Sequence, residues 1–147
     1  MPTHDHFMKR ALDQAIQAQD EGEVPVGAVV VSNGRIIGRG HNQTERLQDA
    51  TAHAEMIAIT AASEFIGDRH LHGCTLYVTM EPCLMCGGAI FWSQLSGVVY
   101  GADDPRQGFQ STGHNPLPRK VEVIPGILDT DCRALLDRFF EGLRRRN

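Results

Sequence analysis

A chain of 147 residues with 41% hydrophobic residues is long enough to bury one core, and residues 1–147 are expected to form a single domain without a linker. A formal net charge of −4 argues against a surface coated in basic side chains, although nucleic acid needs only a local positive face. The opening Met1-Pro2-Thr3-His4-Asp5-His6 has no cationic start followed by an apolar stretch, and no apolar run reaches a bilayer-spanning length of about eighteen residues; the expected location is therefore cytoplasmic, with no membrane partner.

Phe7, Met8, Ala11, Leu12, Ala15 and Ile16 recur at helical spacing and predict an amphipathic helix from about Asp5 to Glu21. Val24–Val31 and Arg35–Gly40 read as two strands. The Asn33-Gly34 pair between them favours a tight hairpin, so they should be antiparallel neighbours. Thr51 is placed to cap a second helix through Ala54, Ile57, Ala58 and Ala62, apolar nearly all round and hence buried. A third strand, Thr75–Thr79, leads into Pro82, which suits the first turn of a third helix through Cys83, Cys86, Ile90 and Trp92. Strands at Gly97–Tyr100 and Val121–Ile124 and a final amphipathic helix through Ala134 and Leu143 complete the pattern. From the second helix onward strands and helices alternate, which predicts a three-layer α/β/α fold with helices on both faces of a five-stranded sheet.

In a reducing compartment cysteines serve more often as metal ligands or spectators than as disulfides, which directs attention to Cys74, Cys83, Cys86 and Cys132. Cys83 and Cys86, three apart in a helix, share one face and can grip one ion. Taken alone the pair fits a structural zinc site or a redox pair equally well, His53 fits a core or surface histidine, and Glu55 a helix-stabilising charge. Together they read differently. His53-Ala54-Glu55 and Pro82-Cys83-Leu84-Met85-Cys86 each open a helix facing the strand ends, where such sheets bind ligands. Three protein ligands leave the fourth zinc position open for water, and Glu55, two residues beyond the histidine, can reach that water without binding the metal. The order H-x-E then P-C-x-x-C is the recurring signature of zinc nucleobase deaminases. A fourth thiolate from Cys74 or Cys132 would close the site, but both read as small buried residues, and the alternating His70 and His72 as solvated.

The chain also resembles the bacterial tRNA-specific adenosine deaminases of the cytidine deaminase-like superfamily. The likeness runs through Glu23–Val29, Thr51–Glu55, Thr75–Cys86 and Val99–Ala102, and the Glu-Val-Pro-Val-Gly-Ala and Glu-Pro-Cys-x-Met-Cys wording points to the tRNA branch. The resemblance implies the cytidine deaminase-like fold with a mixed sheet, one Zn2+ per chain, a homodimer, and conversion of adenosine to inosine at the wobble position of a tRNA anticodon stem-loop. By the same resemblance Glu55 is the proton shuttle, Asn42 hydrogen-bonds the target nucleoside, Val26 and Ala54 line the pocket, and Asp104 lies near the substrate backbone. Phe139, Phe140, Arg144 and Arg145, with Arg146, fit a C-terminal helix that approaches the anticodon loop; on charge alone those arginines fit a solvated tail that complements the negative helix end. The chain departs from the family at Phe109-Gln110-Ser111, where many members carry small residues, and at Gly113–Pro118, a stretch expected to frame the pocket mouth. Two other readings stand beside this one: a deaminase of free guanine or cytosine, and a non-catalytic zinc-stabilised RNA-binding module in which Glu55 is incidental.

Overall fold

The computed structural model describes residues 2–146. Helix α1 (His4–Asp20) starts where the Thr3 hydroxyl accepts from the His6 N–H, satisfying one of the free donors of the first turn. Strands β1 (Gly27–Ser32) and β2 (Arg35–His41) form the predicted antiparallel hairpin, and Asn33 and Gly34 between them both have positive φ, as a type I′ turn requires. A short helix α2 (Thr44–Leu47), not foreseen from the sequence, follows, then α3 (Ala54–Ile66), β3 (Cys74–Met80), α4 (Leu84–Trp92), β4 (Gly97–Ala102), β5 (Glu122–Ile124) and α5 (Asp129–Arg146).

The five strands lie in the order β2-β1-β3-β4-β5; β2, β1 and β3 are antiparallel neighbours, and β3, β4 and β5 are parallel. The sheet is therefore mixed, and its central strands read as near-continuous apolar runs because helices cover both faces. Glycines set how closely they do so. On one face α1 lies against Gly27, where a Cβ would overlap the Ala11 carbonyl, and α5 brings the Cys132 thiol onto Gly101. On the other, α3 lies along β2, where a Cβ on Gly40 would collide with the Ala54 carbonyl and one on Gly38 would sit 2.5 Å from the Ala58 carbonyl. A side chain at any of these positions would push a helix off the sheet. Helix α4 packs beside α3 and buries Ile90.

Two predicted helix starts are corrected. Thr51 does not cap α3: its hydroxyl and N–H both donate to Asp49 Oδ1 within a turn, and His53 occupies the N-cap position. Pro82 does not open α4 either; Cys83, with φ −77° and ψ 175°, is the N-cap, and the helix begins at Leu84. No helix among the described residues is long and apolar enough to cross a membrane.

Candidate metal centre and deaminase site

Both metal-ligand candidates that precede a helix, His53 and Cys83, have extended backbones at N-cap positions, so their side chains project across the helix mouths instead of along the helix sides. Cys86 follows in the first turn of α4 and is fully buried. Because α3 and α4 are neighbours, the two mouths meet. His53 Nδ1 lies 3.7 Å from Cys83 Sγ and 3.5 Å from Cys86 Sγ, and the three ligand atoms all fall within 4.8 Å of one another. A tetrahedral ion with zinc–sulfur and zinc–nitrogen bonds of ordinary length sets its S···N edges at about 3.6 Å, so the imidazole and two thiols fit zinc in both spacing and chemistry. The positive ends of the α3 and α4 helix dipoles favour negative charge there. The Cys86 thiol and His53 hold the Cys83 thiol far below the usual range, Cys83 in turn holds Cys86 up, and the contact with Cys83 shifts His53 towards its charged form.

Glu55, in the first turn of α3, is 4% exposed. Burial pushes its carboxyl up to about 6, against the opposing pull of its own backbone N–H, the His53 charge and the Cys86 thiol. A carboxyl held near neutrality beside the ligand cluster can both take and return a proton.

Asn42, just past β2, ties three of the expected pocket residues together. Its backbone N–H donates to the Val26 carbonyl at 3.2 Å, and its side-chain Oδ1 accepts the Ala54 N–H at 2.8 Å. It thus caps α3 from twelve residues upstream, the task expected of Thr51. Asn42→Ala is expected to cost about 1 kcal/mol in thermal denaturation, whereas Asn42→Asp, which keeps an acceptor oxygen, should stay within about 0.5 kcal/mol of the parent.

Asp104 follows β4. It lies in a loop that returns to Cys83 through a backbone bridge at Gly108, and Phe109 N–H donates to the Pro82 carbonyl at 2.8 Å. Phe109 is fully buried, and Phe109 and Pro116 lie against Gly87 of α4, so the bulky departure from the family pattern fills core beneath this loop. Cys83, Leu84, Met85, Arg106, Gln107, Thr112 and His114 line a depression that reaches one metal-ligand candidate, Cys83. The α5 residues are not brought to the ligands. Cys132, Leu135 and Leu136 anchor that helix on the α1 face, Phe139 is half-buried, and Phe140, Arg144 and Arg145 are exposed, with Arg145 donating to Glu141 at 2.6 Å. Arg133 of α5 donates to the Asp103 carbonyl at 2.8 Å and also pairs with its carboxylate. Cys74 and Cys132 are buried elsewhere, and among the described residues neither they nor His70 and His72 join the metal-ligand group.

Two site-building residues carried no role in the sequence reading: Glu23 and Glu81, both almost completely buried. Glu23 accepts from the Glu45 and Arg46 N–H groups and from the Thr44 hydroxyl, and so holds α2. Glu81 does the same for the loop carrying Asp104. Their signal was an acidic residue one or two positions before a proline at the edge of an apolar run, in Glu23-Val24-Pro25 and Glu81-Pro82.

Comparison with known proteins agrees with this geometry. Residues 1–102 match the cytidine and deoxycytidylate deaminase zinc-binding region. The chain is 45% identical over 145 residues to the tRNA-specific adenosine deaminase of Bacillus subtilis, covering 95% of this chain and 90% of that protein. Among solved structures, one from a study of A-to-I editing by tRNA:A34 deaminases at the wobble position of transfer RNA superposes with a TM-score of 0.84 at 40% identity, over 89% of this chain and 99% of that one. The guanine deaminase of Bacillus subtilis is more distant in shape, with a TM-score of 0.67 at 37% identity over 78% of this chain and 71% of that one. Near-complete coverage and the shared zinc-binding region lead to one assignment: the chain belongs to the tRNA-specific adenosine deaminase family, within the zinc-binding cytidine and deoxycytidylate deaminases.

Proposed function

We propose that this protein is a hydrolytic, zinc-dependent deaminase that converts adenosine to inosine at the wobble position of a tRNA anticodon stem-loop, working as a single domain over residues 1–147. The observation that carries the reading is the convergence of His53, Cys83 and Cys86 at two helix mouths with the buried carboxylate of Glu55 beside them. Family membership supplies the substrate class.

His53, Cys83 and Cys86 would hold the zinc. Bound there, zinc supplies Lewis acidity, which lowers the pKa of water to about 7. Glu55 takes a proton from the attacking water as the C6–O bond forms, delivers it to the adjacent ring nitrogen, and assists departure of the amino group as ammonia; adenosine and water become inosine and ammonia. Val26 and Ala54 line the base pocket. With Oδ1 committed to the Ala54 N–H, Asn42 meets the nucleoside through its Nδ2 donors, so Asn42→Asp should raise KM while leaving the α3 cap intact. Asp104 contacts the backbone of the strand, Phe139 and Phe140 offer stacking surfaces, and Arg144, Arg145 and Arg146 meet phosphates.

A second copy of the chain is the proposed partner. Leu84, Gly88, Phe91 and Trp92 form an apolar stripe along α4 in which Trp92 is 75% exposed, Leu84 is 54% exposed and Gly88 faces open space. Such a stripe is what a stable interface removes from water. Light scattering should report twice the chain mass, and a monomer at working concentrations would count against it. The cytoplasm, where tRNA substrates reside, is the proposed location.

Free guanine is the competing substrate, favoured by the structural likeness to the Bacillus subtilis guanine deaminase. Ammonia release and inosine formation on an anticodon stem-loop with wobble adenosine, free adenosine, and free guanine with cytosine decide between them. Conversion of the stem-loop alone supports the proposal; turnover of a free base with an inert stem-loop keeps the zinc chemistry and overturns the substrate.

A further inference from the structure

Glu81 sits two residues before Cys83 and is 3% exposed, yet none of the ion pairs among the described residues includes it. A buried carboxylate without a cation needs donors on both oxygens. The four among the described residues all come from one loop. Oε1 accepts the Asp104 N–H at 2.9 Å and the Ser111 hydroxyl at 2.6 Å, and Oε2 accepts the Gln110 and Ser111 N–H groups at 2.8 Å each. Gly108 lies directly against the carboxyl group, where a Cβ would overlap it. Residues 104–111 are thus wrapped around one buried charge, and Glu81's own N–H donates to the Ala102 carbonyl at 2.8 Å, at the start of the same loop.

That loop carries Asp104 and presents Arg106 and Gln107 beside Cys83. Arg106 is exposed, and its own N–H and that of Gln107 donate to Asp104 Oδ1, so the loop shape and the Asp104 orientation are one unit. We infer that Glu81 is a positioning residue: by holding the 104–111 loop in place, it sets the contacts to the nucleotide strand flanking the target adenosine, and so governs binding of RNA rather than the deamination step. The inference rests on the tRNA reading above.

The test is steady-state kinetics on the anticodon stem-loop, with zinc content and amide hydrogen exchange, for the full-length parent, Glu81→Gln and Ser111→Ala. In Glu81→Gln an amide NH2 faces backbone donors, so KM should rise about tenfold or more while kcat falls less than about threefold, with zinc retained at the parent level. Exchange should quicken at 104–111 and stay unchanged along α4. Ser111→Ala removes one hydroxyl donor without adding a polar group, and should raise KM about two- to fivefold; if Glu81→Gln does not fold, this variant decides alone. Loss of zinc, or a fall in kcat that matches the rise in KM, would make Glu81 a support of the metal site and overturn the inference. An active parent with unchanged KM in the variants overturns the inference alone, whereas a parent inert on the stem-loop overturns the tRNA reading and the inference with it.

Discussion

Glu55→Ala is expected to yield a folded, zinc-loaded protein whose inosine formation falls by about 10²–10⁴-fold, the range associated with loss of a general acid–base group. The fold should tolerate the change, because the parent carboxyl is buried in surroundings that disfavour its charge and alanine is the best helix former in the first turn of α3. Zinc should remain because its three ligands are untouched. Metal analysis, a melting curve and inosine quantification on the stem-loop give the three readouts. Zinc and stability near the parent level with turnover lost is the expected pattern; activity within tenfold of the parent would remove Glu55 from the mechanism.

Cys86→Ala should abolish both zinc binding and turnover. Its sulfur is fully buried and 3.5 Å from His53 Nδ1, so no other side chain can take its place without moving α4 off α3. Two remaining ligands hold zinc far more weakly than three, and metal content should fall from one per chain towards zero on dialysis. Cys74→Ala and Cys132→Ala provide the contrast: both thiols are buried outside the ligand group and should keep full zinc, with Cys132→Ala losing packing that includes Gly101. Retention of zinc in Cys86→Ala, or its loss in Cys74→Ala, would mean that the ligand set is wrong.

Local signals account for much of the architecture. Helical spacing of Phe7, Met8, Ala11 and Ala15 marked α1, and Asn33-Gly34 marked the β1–β2 hairpin, because such patterns depend on neighbours a few residues away. His53, Glu55, Cys83 and Cys86 were legible for the same reason: ligand and shuttle spacing is written along single turns of chain. The helix starts were not. Thr51 has the right chemistry for a cap, but its hydroxyl is taken by Asp49, and the α3 N–H is met by Asn42 from across the loop.

Glu23 and Glu81 show the same limit, since a buried acid is legible only when the donors that surround it are known, and those lie about twenty to thirty residues away in sequence. By itself, then, the sequence determined the element types other than α2, the hairpin, and the H-x-E and P-C-x-x-C spacings that point to the reaction class. Tertiary structure alone decided the strand order β2-β1-β3-β4-β5, the meeting of the α3 and α4 mouths, and the loop wrapped around Glu81. The physical reason is range: propensity and periodicity act over one or two turns, whereas burial of a charge, close approach of a helix to glycine and convergence of metal ligands depend on segments that only the packed chain brings together.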